Sequence, residues 1–281
     1  MQTTTTNIHT PNPLADYRFF AKLPDGRALV SCHAQNTVLV VDADGNVQRS
    51  LETEPTFARP EGIAVNSKGW VFVADRYNHC VHAFDDKLVY WSSLDVANNK
   101  GLNQPVGIAI SAVDDRIWIA DNENHRIVVL SADLEYEKTL GSGFGLYPGQ
   151  LFCPCGIALY DHPVHGELVI VSEWGGGRVQ VFRADSGDVF AIYGGVQHAH
   201  HVVVNAEGVI YVTEYATRRI KRFSLDGDVG SEREASAVSL VMGGDNRMEY
   251  LVQKNNVVKI SDEVAAAAGK KRKATSDAAS G

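Results

Sequence analysis

A pattern of about 40–50 residues repeats along the chain, and it constrains the fold more than any other feature. Three clear copies begin with Pro60-Glu-Gly-Ile-Ala, Pro105-Val-Gly-Ile-Ala and Pro154-Cys-Gly-Ile-Ala. A weaker copy begins at Ala199, and copies recognisable only by their spacing cover residues 19–42 and 239–260. This period is the one expected of a propeller blade.

Each copy has the composition of short β-strands, with apolar runs rich in Val, Ile, Phe and Tyr between Gly, Asp and Asn. An acidic residue follows the second run of four copies, at Asp75, Asp121, Glu173 and Glu214. We therefore predict an all-β, six-bladed propeller of four-stranded blades, formed by residues 1–262 as a single domain. A closed ring of blades also removes the exposed sheet edges that an open sheet would carry.

The two ends of the chain lead to separate expectations. The last copy lacks a fourth strand, and the β-branched run from Thr3 to Ile8 is predicted to supply it as the outer strand that closes the last blade. Residues 263–281 are too poor in apolar side chains to build a core, and we expect a flexible basic tail. Within this tail, Lys270-Lys271-Arg272-Lys273 is either a nuclear-import signal or a solvated charge run.

The composition limits the partners. Asp and Glu number 34 against 26 Lys and Arg, a net charge of −8, which argues against nucleic acid as the main partner. No apolar run is long enough to span a membrane, and the first residues do not resemble a secretory signal. The four cysteines lack metal or disulfide spacing, so we expect reduced thiols in a monomeric cytoplasmic protein. They are Cys32, Cys80, Cys153 and Cys155.

The motif of the clearest copies resembles the NHL repeat. Pro60-x-Gly-Ile-Ala is followed by Val-Ala-Asp and then Asn78-His79, and the next copy has Asn124-His125 at the same offset. The resemblance implies a six-bladed β-propeller. Because His79 and His125 recur at the spacing of the repeat, we expect them to have structural roles in the turns.

Functional residues are expected where the ring of a propeller opens. The residue before the repeat glycine should lie near the channel mouth, and His201 takes the place of that glycine in the fifth copy. The mouth positions are Arg18, Glu61, Val106, Cys155 and His200. Three of them, His200, Glu61 and Cys155, have side chains that could bind Zn²⁺ or another metal if they converge across the channel.

The resemblance also bears on this metal hypothesis. Peptide-amidating lyases are propellers similar to NHL proteins, and they bind zinc through three channel histidines, each just after a proline. Only His200 occupies such a position here, and Ala199 replaces the proline. Calcium-dependent propeller hydrolases use channel Glu, Asn and Asp side chains, for which Glu61, Asn66 and Asn205 are candidates.

The same face is predicted to bind a partner through exposed aromatic and charged side chains, the types enriched at interfaces. This face contains Arg76, Tyr77, Glu123, Trp174, Tyr215, Arg218 and Arg219. The primary prediction is a non-enzymatic scaffold without a cofactor that recognises a protein or peptide. The alternatives are a metal-dependent lyase or hydrolase acting in the channel, with Zn or Ca, and an RNA-binding propeller.

Overall fold

The computed structural model describes the backbone of residues 5–8, 17–94, 101–225, 233–234, 237–242, 248–254 and 257–263, and the side chains of residues 18–94 and 101–225. Strands predominate throughout this part. In chain order they are β1 (Thr5–Ile8), β2 (Tyr17–Lys22), β3 (Ala28–Cys32), β4 (Thr37–Val41), β5 (Val47–Ser50), β6 (Pro60–Val65), β7 (Val71–Asp75), β8 (Cys80–Phe84), β9 (Tyr90–Leu94), β10 (Pro105–Ile110), β11 (Ile117–Asp121), β12 (Arg126–Leu130), β13 (Tyr136–Leu140), β14 (Pro154–His162), β15 (Gly166–Glu173), β16 (Arg178–Arg183), β17 (Val189–Gly194), β18 (Ala199–Val204), β19 (Val209–Glu214), β20 (Arg219–Ser224), β21 (Arg233–Glu234), β22 (Ala237–Met242), β23 (Met248–Lys254) and β24 (Val257–Glu263).

Five antiparallel blades follow one another along the chain, each with four strands in sequence order. They are β2–β5, β6–β9, β10–β13, β14–β17 and β18–β21, and we number them blades 1 to 5. The inner strands β2, β6, β10, β14 and β18 contact one another in that order. The predicted propeller of four-stranded blades is therefore confirmed, with five blades continuous in the chain where the sequence predicts six.

The remaining strands form one more four-stranded sheet, of which only the backbone is described. Its order is β1–β24–β23–β22, and β22 contacts both β18 and β2. Thr5 to Ile8 pair antiparallel with residues 258–261, so the N-terminal strand is the outer strand of this sheet, as predicted. The predicted flexible tail, including its basic run, lies outside the described residues. No helix among the described residues is long and apolar enough to cross a membrane.

The core consists of apolar layers between neighbouring blades. The second and third strands are buried on both faces, as in β7 and β8, where every residue is buried. One layer packs Phe72 of blade 2 against Ile117 and Val128 of blade 3, and equivalent layers join the other described pairs. Burial on both faces explains why these strands are continuous apolar runs rather than alternating ones.

Buried acids fix the loop that enters each of blades 2 to 5. The acid at the end of the second strand accepts a hydrogen bond from a backbone N–H of that loop, at 2.6–2.9 Å. The donors and acceptors are Ala58 to Asp75, Asn103 to Asp121, Phe152 to Glu173 and Gln197 to Glu214. These carboxylates therefore satisfy buried donors and belong to the scaffold.

The repeated histidines connect neighbouring blades. His79 Nδ1 accepts the backbone N–H of Gln104 at 3.2 Å, and His125 Nδ1 accepts that of Cys153 at 3.2 Å. Both histidines have left-handed backbones, with φ of 56° and 54°. The structure thus gives them the structural role expected from their spacing.

The repeat glycines allow the inner strands to approach closely. A Cβ at Gly62 would overlap the carbonyl oxygen of Val106 in the next blade, and a Cβ at Gly107 would overlap that of Cys155. None of these contacts involves a flexible side chain end that could move aside. Glycine is therefore required where backbones crowd the channel axis.

This crowding makes a testable prediction. Gly107→Ala should destabilise the protein by about 1–3 kcal/mol, because the added methyl group forces two packed backbones apart. The matched control is Gly194→Ala, since a Cβ at Gly194 meets nothing within 4 Å and its φ is not left-handed. Urea denaturation of both variants measures the difference, and equal stabilities would contradict the close-approach argument.

Candidate ligand site at the channel mouth

A β-bulge at the start of each inner strand turns one side chain towards the channel. In blade 2, Pro60 pairs with Asp75 and Ile63 pairs with Val73, so two residues of β6 lie opposite one residue of β7. The same shift occurs in β2, β10, β14 and β18. Bulges re-aim side chains in this way, often next to functional sites. The first bulge residues form an inner ring of Arg18, Glu61, Val106, Cys155 and His200.

A second ring comes from the residue directly after the second strand of each blade. Its members are His33, Arg76, Asn122, Trp174 and Tyr215. Several of them contact the inner-ring residue of the following blade: His33 approaches Glu61, Asn122 donates to Cys155 Sγ at 3.5 Å, and Trp174 meets His200. We call the set of Arg18, His33, Glu61, Arg76, Trp174, His200 and Tyr215 the mouth cup.

One side of the mouth cup is charged. Glu61 is almost fully buried, and its Oε1 lies 3.6 Å from His33 Nδ1 and 3.7 Å from Arg76 Nη1. Arg76 also donates through Nε to Gln104 at 3.0 Å. The carboxylate and the guanidinium thus hold each other in place at the wall of the cup.

The other side is aromatic. Trp174 stacks on His198, with ring centroids 4.7 Å apart and planes 19° apart, and also contacts Tyr215 at 5.1 Å. The His200 ring lies 5.9 Å from each of Trp174 and Tyr215. Arg18 covers the Tyr215 ring at 5.0 Å and reaches its hydroxyl at 3.4 Å. This wall combines apolar faces with a cation beside them.

Phe19 packs against the cup residue His200, with ring centroids 5.6 Å apart. It stands where blades 2 to 4 have the repeat glycine, and it forms one buried cluster with Val106 and Cys155 from blades 3 and 4. His201, which also replaces that glycine, contacts the Phe19 ring at 4.5 Å. Two bulky rings therefore meet at the positions that correspond to the repeat glycine.

The environment of the cup keeps its histidines neutral. Burial, with the charges of Arg18, Arg59 and Arg76, lowers the pKa of His33 to about 3. Burial also lowers the pKa of His200 well below its ordinary value, and Arg18 and Arg76 add to that effect. With these histidines neutral, the charged side chains of the cup are the guanidinium groups of Arg18 and Arg76 and the carboxylate of Glu61.

The residues that could hold a metal ion do not form a ligand set. Among the described residues, no group of three or more His, Cys, Asp or Glu is arranged to bind a metal. Glu61 faces His33 and Arg76, and burial raises the pKa of the Cys155 thiol, which disfavours the thiolate. A three-histidine site would need a further histidine at the position of Val106, whose side chain has no atom that can bind a metal. These residues do not fit the three-histidine zinc site implied by the resemblance to amidating lyases.

The asparagines proposed for calcium lie elsewhere. Asn66 and Asn205 follow the ends of β6 and β18, away from the bulges, and their side chains accept backbone N–H groups of their own turns. Asn66 accepts from Lys68 and Trp70, and Asn205 accepts from Glu207 and Val209. Both side chains therefore have a structural role in their own turns.

The predicted partner face partly coincides with the cup. Arg76, Trp174 and Tyr215 are cup residues, whereas Tyr77 and Glu123 lie one residue farther along their turns and are exposed. Arg218 is exposed on a turn, and Arg219 begins β20 opposite Glu214. The two sets of predicted residues therefore describe one mouth and its rim.

Two residues of the mouth do not appear among the predicted site residues. They are His33 and Phe19, which lie in the first copy, where Cys32 stands in place of the acid and Tyr17 in place of the proline. The offset that places Arg76 after Asp75 also places His33 after Cys32. Aligning the predicted strands of the copies, instead of their motif residues, would have placed both residues at the mouth.

A comparison with family models supports the resemblance. Residues 57–84 and 102–130 match the model of the NHL repeat. The chain contains NHL repeats. Each match covers the first three strands of its blade, with Gly62 and Asp75 in blade 2 and Gly107 and Asp121 in blade 3.

One relative is named as a probable lyase. The chain is 28% identical over 188 residues to the probable peptidyl-α-hydroxyglycine α-amidating lyase of Caenorhabditis elegans, and the match covers 62% of this chain. The chain spans about half (51%) of that relative's length.

Solved structures share the fold. A gluconolactonase from Xanthomonas campestris has a TM-score of 0.68 at 14% identity, covering 88% of this chain and 85% of that one. The virginiamycin B lyase of Staphylococcus aureus has a TM-score of 0.63 at 14% identity, covering 94% and 99%. At these identities the similarity shows the propeller architecture alone.

The neutral histidines predict how stability depends on pH. His33 and His201 each have a pKa lowered to about 3, by burial in the first place. The unfolded chain binds their protons near pH 6.5, so the free energy of unfolding should fall as the pH drops from about 6.5 towards 3. Each should account for about 2 kcal/mol between pH 7 and pH 5.

Urea denaturation at these two pH values tests this dependence. His33→Gln should reduce the loss of stability on acidification by about 2 kcal/mol. His201→Gln should give a similar reduction, and the double variant should add the two effects. An unchanged loss in both single variants would show that these rings are not buried as neutral groups.

Proposed function

We propose that this propeller is an enzyme of the lyase class that binds a carboxylate-bearing ligand in the mouth cup and removes a proton from it with His200. The observation that carries the proposal is the buried Nδ1 of His200, which has no hydrogen-bond partner among the described residues. A buried polar atom without a partner costs free energy. Such an atom is typical of a binding site in which the ligand supplies the missing hydrogen bond.

The charges of the cup favour an anion. The positive charges of Arg18 and Arg76 both contribute to the lowered pKa of His200. The same charges would attract a carboxylate into the cup. Once bound, the carboxylate offsets the two guanidinium charges, which raises the basicity of the His200 imidazole. Before binding, the ring is neutral at physiological pH, and with Nε2 protonated its Nδ1 lone pair can accept a proton.

The known relative suggests a substrate class. A peptidyl-α-hydroxyglycine carries a hydroxyl group and a carboxylate on the same terminal carbon. Its cleavage removes the hydroxyl proton, forms a C=O bond, breaks the N–Cα bond and returns a proton to nitrogen, giving an amide and glyoxylate. We propose acyl-α-hydroxyglycines as substrates, with Arg18 and Arg76 on the carboxylate and His200 taking the hydroxyl proton.

Glyoxylate release from N-benzoyl-α-hydroxyglycine tests this activity. The wild-type protein should release glyoxylate faster than buffer alone, and His200→Gln should lower kcat by roughly 10²–10⁴-fold, the range for loss of a general base. Arg18→Met should mainly raise KM. The matched control is Val113→Ser, an exposed position outside the cup, which should leave both constants unchanged.

Two further arms complete this experiment. A chelator should not change the rate, because the residues of the cup do not fit a metal site. Calorimetry with N-benzoylglycine, which has the carboxylate without the hydroxyl group, should show binding that Arg18→Met weakens. No glyoxylate above buffer and no binding of N-benzoylglycine would together show that the proposal is wrong.

A second candidate is recognition of a protein or peptide through the rim. Tyr77 and Tyr215 are 47% and 44% exposed on this face, and Arg59 donates to the Tyr77 hydroxyl at 2.6 Å. Exposed tyrosines beside arginines are typical of binding hot spots. Peptide binding that Tyr77→Ala weakens, without any turnover, would favour this candidate over the lyase.

RNA recognition has less support. It requires an extended basic face, and some of the basic residues near the rim are already paired. Arg126 donates to Asp121 at 2.7 Å, and Lys221 lies 3.1 Å from Glu214.

A further inference from the structure

A groove between blades 2 and 3 opens on the face opposite the mouth. The turn 66–69 follows β6, whose start lies at the mouth, and the turn 131–135 follows β12, which begins opposite Asp121. Both turns therefore lie at the far end of their blades. The groove has a volume of about 190 Å³ and lies between these turns and β9.

Two tryptophans form the aromatic part of this groove. Trp91 is 56% exposed on β9, and its ring meets that of Trp70 edge to face, with centroids 5.4 Å apart and planes 70° apart. Buried Phe72 also lines the groove. The backbone N–H of Trp70 is held by Asn66 Oδ1 at 2.9 Å. The exposed face of Trp91 is thus a broad apolar surface beside a second tryptophan ring.

The polar part of the groove carries one charge of each sign. Lys68 and Asp133 line it from the two turns. An anionic ligand would meet the carboxylate of Asp133, and a cationic ligand would meet the ammonium of Lys68. A wholly apolar ligand would desolvate both charges without a hydrogen bond in return. The lining therefore favours an uncharged ligand that both donates and accepts hydrogen bonds.

We propose that this groove binds a neutral pyranose ring. The ring's C–H face would stack on Trp91, whose π-system is negative at its face and attracts the slightly positive C–H groups. Lys68 would donate to one hydroxyl group, and Asp133 would accept from another. A volume of about 190 Å³ is below the roughly 300–1,000 Å³ of sites for drug-sized ligands, which suits a single sugar ring.

Calorimetric and fluorescence titrations test this site on the full chain. The probes are the methyl pyranosides of glucose, galactose, mannose and N-acetylglucosamine. At least one should bind saturably and change the tryptophan emission. Trp91→Ala should weaken that binding at least tenfold, Trp91→Phe should weaken it less, and Asp133→Asn should weaken it several-fold. Trp174→Phe, on the opposite face, should leave the affinity unchanged.

The alternatives are separated by the same titrations. Choline and benzoate serve as a cation and an anion of similar size. Saturable binding of either one in preference to all four glycosides would overturn the proposal, as would glycoside binding that Trp91→Ala does not change. Failure of every probe would also overturn it. Because the groove and the mouth cup lie on opposite faces, none of these results depends on the lyase activity.

Discussion

The close packing of the inner strands around the channel axis determines the other features of the site. At Gly62, Gly107 and Gly156 the backbone of one blade lies against a carbonyl group of the next, and no side chain fits there. Each glycine is the second residue of a bulge, so the residue before it turns into the channel. The same geometry that closes the ring therefore places Glu61, Val106 and Cys155 in one circle.

Two blades are exceptions to the glycine rule. In blades 1 and 5 the second bulge position holds Phe19 and His201, and the centroids of their rings lie 4.5 Å apart. These bulges also need partners for their backbone N–H groups. Ser31 accepts the N–H of Phe19 and Thr213 accepts that of His201, both at 2.9 Å. The rings of Phe19 and His201 pack against each other, and Phe19 also contacts His200. Burial in these surroundings keeps His33 and His200 neutral.

Much of the fold could be predicted from the sequence because the repeat encodes local requirements. The proline, glycine and acid of each copy mark the bulge, the close approach and the buried hydrogen bond, and all three recur at a readable spacing. The set of residues that forms the site was harder to predict, because it depends on which residues of different blades lie in contact. The pairing of Glu61 with His33 joins two blades, so it leaves no local pattern in the sequence. The left-handed backbones of Arg59, Gln104, Cys153 and His198 were not predicted either, because none of these residues is glycine.

The central claim is that the mouth contains the neutral, buried imidazole of His200, and that the ligand supplies the hydrogen bond its Nδ1 atom lacks. Nuclear magnetic resonance of the histidine ring nitrogens, with the His200 signals assigned from His200→Gln, tests it most directly. We predict that His200 stays neutral from pH 8 to pH 5, and that adding N-benzoylglycine shifts its Nδ1 signal. A His200 ring that titrates at its ordinary pKa and does not respond to the carboxylate would contradict the account.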